Sequence, residues 1–358
     1  MAHSETLAAR PAAHGGTGAV RVWLLTVAAL VFLIVTVGGA TRLTGSGLSI
    51  TEWQPIVGIV PPLNEAQWQE AFAKYRQIPQ YQHVNRGMSL EAFKGIFWWE
   101  WAHRFLGRFI GVVFFVPFVW LFATGQIPRG LLGRLGGIFA LGALQGAAGW
   151  YMVASGLAER ISVSQYRLAL HLSLAILIFG ALIWVALSLD DPPRRRRGAA
   201  PAHATAAMAV LLLVFVQIVL GAFVAGLKAG HGYNTWPLMD GRLIPDGLGV
   251  MEPWYLNLFE NALTVQFNHR VVAYLLLAAT LAHVWVIMRG AADSHIRLTA
   301  LVLAAGVLAQ AVLGIVTLLA QVPLGLGLAH QAGAAAVFGL AVWHLHAVRH
   351  PRVGEAAV

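Results

Sequence analysis

Eight stretches of the chain run almost wholly apolar for about 20 residues or more, at 22–41, 97–123, 131–154, 168–189, 204–227, 262–288, 298–320 and 326–347. Between them lie short basic segments and two long loops rich in Trp, Pro and Gly, 42–95 and 228–260. A hydrocarbon core of about 30 Å is crossed by about 20 residues of helix, and backbone in lipid has to satisfy its own hydrogen bonds. The pattern therefore predicts an all-α membrane protein with eight transmembrane helices. The lipid bilayer is the partner that covers its surface.

Composition agrees: 58% of the 358 residues are hydrophobic, 11% are charged, and the mean hydropathy is +0.69. The formal net charge of +9 does not indicate nucleic acid, because the basic residues sit between the spans with no aromatic-interleaved patch. An even number of spans puts both termini on one side. That side collects Arg10, Arg21, Arg129, Arg134, Arg194 to Arg197, Arg289, Arg297, Arg349 and Arg352 in short segments, so the positive-inside rule predicts cytoplasmic termini in a bacterial-type inner (plasma) membrane. The long loops then lie outside, folded at the interface as a lid. Cysteine is absent, which excludes disulfides and thiolate metal sites. Residues 1–21 carry no apolar stretch with a cleavage motif, so they read as a tail and not a cleaved signal.

The chain repeats itself. Gly39-Ala40 through Trp53, Pro55, Gly58 and Pro61 is echoed by Gly221-Ala222 through Trp236, Pro237, Gly241 and Pro245. His103-Arg104 is echoed by His269-Arg270, Gln145-Gly146 more weakly by Gln310-Ala311, and His171 by His330. The expected organisation is two tandem four-helix bundles, 22–189 and 204–347, joined by a basic linker at 190–203 and followed by a tail at 348–358. Four spans per half give both copies the same orientation, hence a pseudo-two-fold axis along the membrane normal.

Ionisable residues inside spans are costly and read first as functional. His103, His171, His269 and His330 lie on even-numbered spans, each three to seven residues from the outer end, so each bundle holds a pair at similar depth. Such pairs suit axial ligation of haem iron, and the metal-ligand set is these four histidines. A zinc or di-iron site would want more carboxylates or thiolates, and the first bundle has only Glu100 within its spans. Gly142, Gly146, Gly149, Gly306, Gly314, Gly327 and Gly333 offer room for a flat macrocycle, although close helix packing explains glycine equally well.

Glu100 stands one turn from His103, where the second half has Gln266, so chemistry is assigned to the first bundle and electron transfer or support to the second. Arg104 and Arg270 are candidates for binding haem propionates, with a polar cluster as the alternative. Trp98, Trp99 and Trp101 fit an aromatic belt. Two rival readings stay open. One is an electron-transfer cytochrome b with a further haem between His283 and His344, each fourteen residues after a ligand of the C-terminal pair; the other is a carrier that binds haem without changing it.

Glu100-Trp101-Ala102-His103-Arg104, with the upstream run Gly38-Gly39-Ala40-Thr41-Arg42-Leu43-Thr44 and the downstream run Gln266-Phe267-Asn268-His269-Arg270, closely resembles the haem A synthase family. The likeness extends over residues 21–349. It implies oxidation of a methyl group of haem O to a formyl group, by successive hydroxylations, giving haem A for terminal oxidases. It further implies haem b as cofactor on His269 and His330, haem O as substrate at His103 and His171, and Glu100 as the catalytic carboxylate. Haem O synthase and a terminal oxidase or its assembly factors are the implied partners, with an unidentified electron donor and a possible homo-oligomer. Lacking the cysteine pair of some members, the chain looks like the cysteine-free branch.

Overall fold

A computed structural model describes residues 15–54, 57–158, 160–189, 201–290 and 292–351. Most of the N-terminal tail, the run Arg194 to Arg197 and residues 352–358 lie outside the described residues. The described part is helical, and eight helices are long and apolar enough to cross a membrane: α1 Gly15–Leu43, α4 Leu90–Ala123, α5 Leu132–Ala158, α6 Gln165–Ser188, α7 Pro201–Gly226, α8 Ala262–Arg289, α9 Ser294–Leu319 and α10 Leu324–Arg349. Two short helices, α2 Glu65–Tyr75 and α3 Pro79–His83, lie in the first long loop. The chain is an integral, multi-pass membrane protein.

Side-chain caps set several helix starts. Ser89 accepts from Ala92 N–H at 3.2 Å, Asn261 from Leu263 N–H at 3.0 Å and Asp293 from Ile296 N–H at 2.8 Å, each satisfying an amide that has no partner inside its helix. α4 therefore begins at Leu90, seven residues before the expected 97. Its first turns carry Glu91 and Lys94, paired at 2.7 Å, and those charges hide the extension from a hydropathy reading. α7 begins at Pro201, so 201–203 belong to a helix and not to the linker; proline suits a first helical turn. Inside α4, Pro117 provides no N–H for the carbonyl of Val113, and the indole of Trp23 on α1 donates to that carbonyl at 2.9 Å.

The helices of each half of the chain pack on one another and on those of the other half. α1 packs on α4 and α6, and α5 on α6; α7 packs on α8 and α10, and α9 on α8 and α10. The halves meet where α6 and α10 cross, flanked by α1 against α10 and α6 against α7. At that crossing the contacts are reciprocal. A Cβ on Gly180 would meet Phe338 at 2.7 Å, and one on Gly339 would meet Phe179 at 3.3 Å. The halves differ in one respect: α8 and α9 pack along their length, whereas α4 and α5 barely touch.

The first long loop is folded onto the end of its bundle. Asn64 caps α2 by accepting from Gln67 N–H at 3.0 Å. Trp68, Phe72 and Tyr75, at helical spacing, bury against Phe93 and Phe97 of the extended α4. The loop thereby gains its own small core, which one-dimensional hydropathy does not reveal.

Candidate functional site

The four span histidines come from even-numbered helices, His103 from α4, His171 from α6, His269 from α8 and His330 from α10. α4 and α6 sit diagonally across one bundle, and α8 and α10 across the other, without substantial direct contact. Each imidazole lies against a glycine of an odd-numbered neighbour. A Cβ would come within 2.9 Å of His103 Cε1 on Gly38, 2.9 Å of His171 on Gly149, 3.2 Å of His269 on Gly221 and 2.8 Å of His330 on Gly314. These are seats that only glycine leaves open.

The seats refine the repeat. Gly38, and not Gly39, is the counterpart of Gly221, since Gly39 lies against Gln331. Of the glycines expected to make room, Gly149 and Gly314 do so for imidazoles. Gly306 and Gly327 instead accept leucines, Gly333 meets Gln310, and Gly142 and Gly146 have open space beside them.

Three glutamines hold the rings. Gln145 Nε2 lies 3.1 Å from His171 Nδ1, Gln217 Nε2 3.1 Å from His269 Nδ1, and Gln310 Nε2 3.1 Å from His330 Nδ1. Gln217 and Gln310 also donate to the backbone carbonyls of those histidines, at 3.0 and 2.7 Å. Gln145 Oε1 is buried without a partner. Turning that amide over places the oxygen toward a protonated Nδ1 and leaves Nε2 of His171 free to bind a metal. Gln217 has no counterpart in the sequence repeat and was not foreseen.

The N-terminal pair has the spacing of a metal-bridged couple. Imidazole nitrogens each about 2.0 Å from a shared metal put the ring centres about 6.3 Å apart; those of His103 and His171 are 6.4 Å apart, and His103 Nδ1 is buried without a partner. His283 and His344 are different. Their Nε2 atoms are 2.9 Å apart and hydrogen-bonded, with ring centres at 5.1 Å, whereas a shared metal needs about 4 Å between nitrogens. Thr299 completes the chain: its hydroxyl donates to Ile296 O, so His344 Nδ1 donates to Thr299 Oγ1 at 2.9 Å. The two rings form a buried hydrogen-bonded pair whose nitrogens stand closer together than a shared metal allows.

Glu100 is 2% exposed. Its Oε2 accepts from Ser49 Oγ and from Ile50 N–H, both at 2.8 Å, and its Oε1 accepts from Arg104 Nε and Nη2 at 3.0 and 2.6 Å. Arg104 also donates to the carbonyls of Glu52 and Ile50, at 2.9 and 2.7 Å. In the other half Arg270 donates to the carbonyls of Thr235 and Tyr233 at the same two distances, and to Gln266 Oε1 at 2.9 Å. Gln266 Nε2 donates to the carbonyls of Ala229 and Gly232, both at 2.7 Å. Where a carboxylate stands, the loop presents donors; where an amide stands, it presents carbonyls. Arg104 and Arg270 thus anchor the two long loops, as in a polar cluster, while Arg270 Nε is buried without a partner. Trp101 likewise donates to Ile59 O at 3.1 Å, while Trp98 and Trp99 are exposed.

Residues 21–342 match the model of a family described as cytochrome oxidase assembly protein. The chain belongs to that family. Among relatives, it is 58% identical to the heme A synthase of Parvibaculum lavamentivorans, over 92% of this chain and 94% of that one. It is 57% identical to the heme A synthase of Bradyrhizobium diazoefficiens, over 90% of each, and 54% identical to that of Allorhizobium ampelinum, over 96% of each. The matched span includes both histidine pairs and both loop anchors.

Proposed function

We propose that the chain is a haem A synthase, a membrane-bound oxidoreductase that converts a methyl group of haem O to the formyl group of haem A for terminal oxidase assembly. The observation that carries the reading is the metal-bridging spacing of His103 and His171 beside the buried Glu100, in a chain so similar to proteins named heme A synthase.

In this reading His103 and His171 receive haem O, and His269 and His330 hold haem b. Haem b, when bound, supplies one-electron transfer. Gly38 and Gly149 let the two N-terminal imidazoles lie back against their neighbours, and Gln145 fixes the tilt of His171. Glu100 would accept a proton as a methyl C–H bond is broken, with the electrons passing to an external redox partner of the haems. Its Oε2, held by the neutral donors Ser49 and Ile50, exchanges partners more readily than Oε1, which Arg104 grips with two N–H groups. Loose packing between α4 and α5 suits the half that must exchange its haem. The histidine pairs sit toward the outer membrane face, with cytoplasmic termini in a bacterial inner membrane. Haem O synthase is the upstream partner and the oxidase or its assembly factors the recipients.

The test is expression in cells that make haem O but not haem A, followed by extraction and identification of haems. Haem A is expected with the wild-type chain and not with Glu100→Ala. Full conversion by Glu100→Ala removes the proton role; unchanged haem O with the wild-type chain removes the enzyme.

A further inference from the structure

Arg104 and Arg270 each give two donors to loop carbonyls, whereas the guanidinium of Arg42 touches no loop carbonyl and has donors to spare. Arg42, in the last turn of α1, makes one hydrogen bond, from Nη1 to the carbonyl of Ala225 on α7 at 2.6 Å. Its Nε is buried without a partner, and no carboxylate of the described residues lies within ion-pair distance of it. A part-buried cation with a buried, unmet donor is costly unless an anion completes it.

Its position identifies the anion. Arg42 is four residues beyond Gly38, the seat of His103, and Ala225 is four residues beyond Gly221, the seat of His269. Four residues are one helical turn, about 6 Å along the axis on the same face. Arg42 and Ala225 occupy equivalent places in the two halves, since Gly38 corresponds to Gly221, and they meet across the junction between the halves. The guanidinium therefore stands between the two histidine sites, one turn nearer the loop-bearing end than the imidazoles. A porphyrin held by either pair carries its carboxylates at its rim, and an arginine fork matches a carboxylate edge.

We propose that Arg42 binds a haem propionate, as a cation that lies where the two halves meet and pairs with a haem carboxylate. The proposal rests on the haem-binding reading above, and it makes Arg42 a positioning residue that fixes how far a macrocycle enters the bundle.

The test uses the full-length protein in detergent, carrying its resident haem, as wild type, Arg42→Gln and Arg42→Met. Ferric haem O and its dimethyl ester are titrated by visible absorption, and the midpoint potential of the resident haem is measured by spectroelectrochemistry. If the substrate's carboxylate is bound, wild type prefers the acid to the diester by about tenfold, the scale of one charge-assisted pair, and both variants lose that preference with little change toward the diester. If the resident haem's carboxylate is bound, its potential falls in the variants, because a nearby cation favouring the reduced form has gone. Equal wild-type affinity for acid and diester, together with an unchanged potential in whichever variant folds, overturns the proposal. Wild-type protein that retains no haem overturns the parent reading and this one with it; intact haem binding indifferent to Arg42 overturns this one alone.

Discussion

Replacing Glu100 by Gln looks mild, because the second half carries Gln266 at the equivalent place. The hydrogen bonds say otherwise. Gln266 works because its Nε2 meets two carbonyls, those of Ala229 and Gly232. Around Glu100 the loop offers an O–H from Ser49 and an N–H from Ile50. If the new amide keeps its oxygen toward Arg104, as Gln266 does toward Arg270, its NH₂ faces the N–H of Ile50. The Ser49 hydroxyl can turn to accept, but the Ile50 amide is left buried against another donor. Losing a charge-assisted bond costs about 1.5–3 kcal/mol and orphaning a buried amide about 1–3 kcal/mol. Some relaxation of the loop reduces the total, so Glu100→Gln is expected to cost about 2–4 kcal/mol. The assay is the thermal midpoint of detergent-solubilised protein, expected to fall by about 4 °C or more. Gln266→Glu should be destabilising for the mirror reason, a carboxylate facing two carbonyls. A Glu100→Gln midpoint within about 1 °C of wild type would refute the claim that loop donors are matched to the carboxylate.

Two further outcomes follow from the seats and from the second histidine pair. Gly149→Ala forces its Cβ to 2.9 Å from His171 Cε1, so it should weaken haem binding in the N-terminal half by about tenfold and leave the C-terminal haem in place; Gly314→Ala should do the reverse, both read by haem-to-protein ratio and difference spectra. His344→Phe should leave the haem-to-protein ratio unchanged while lowering stability by about 1–3 kcal/mol, because Thr299 and His283 lose their partner; loss of one haem equivalent would show that the pair is a ligand set after all.

The eight spans were readable from the chain because the bilayer demands a long apolar run for each crossing, a demand imposed locally on sequence. The internal repeat is visible for a similar reason: the same residue types recur in the same order along the chain. His103, His171, His269 and His330 stood out because an imidazole in an apolar helix is costly wherever the helix ends up.

What an imidazole touches depends on helix rotation and crossing, which hydropathy does not encode. Gly38, Gly221 and Gln217 acquire their roles only when α1 meets α4 and α7 meets α8. His283 and His344 had the sequence spacing of a haem site, yet the 2.9 Å between their nitrogens makes them a closed hydrogen-bonded pair. Arg104 and Arg270 give N–H groups to carbonyls of loops far from them along the chain, which their sequence positions do not reveal. The sequence alone therefore determined the number of crossings, the internal repeat and the residues that are expensive in lipid, since each is a property of a single segment against its solvent. Tertiary structure decided which of those residues face one another and which already have partners, because hydrogen-bond donors and acceptors are satisfied across space, between segments that are remote along the chain.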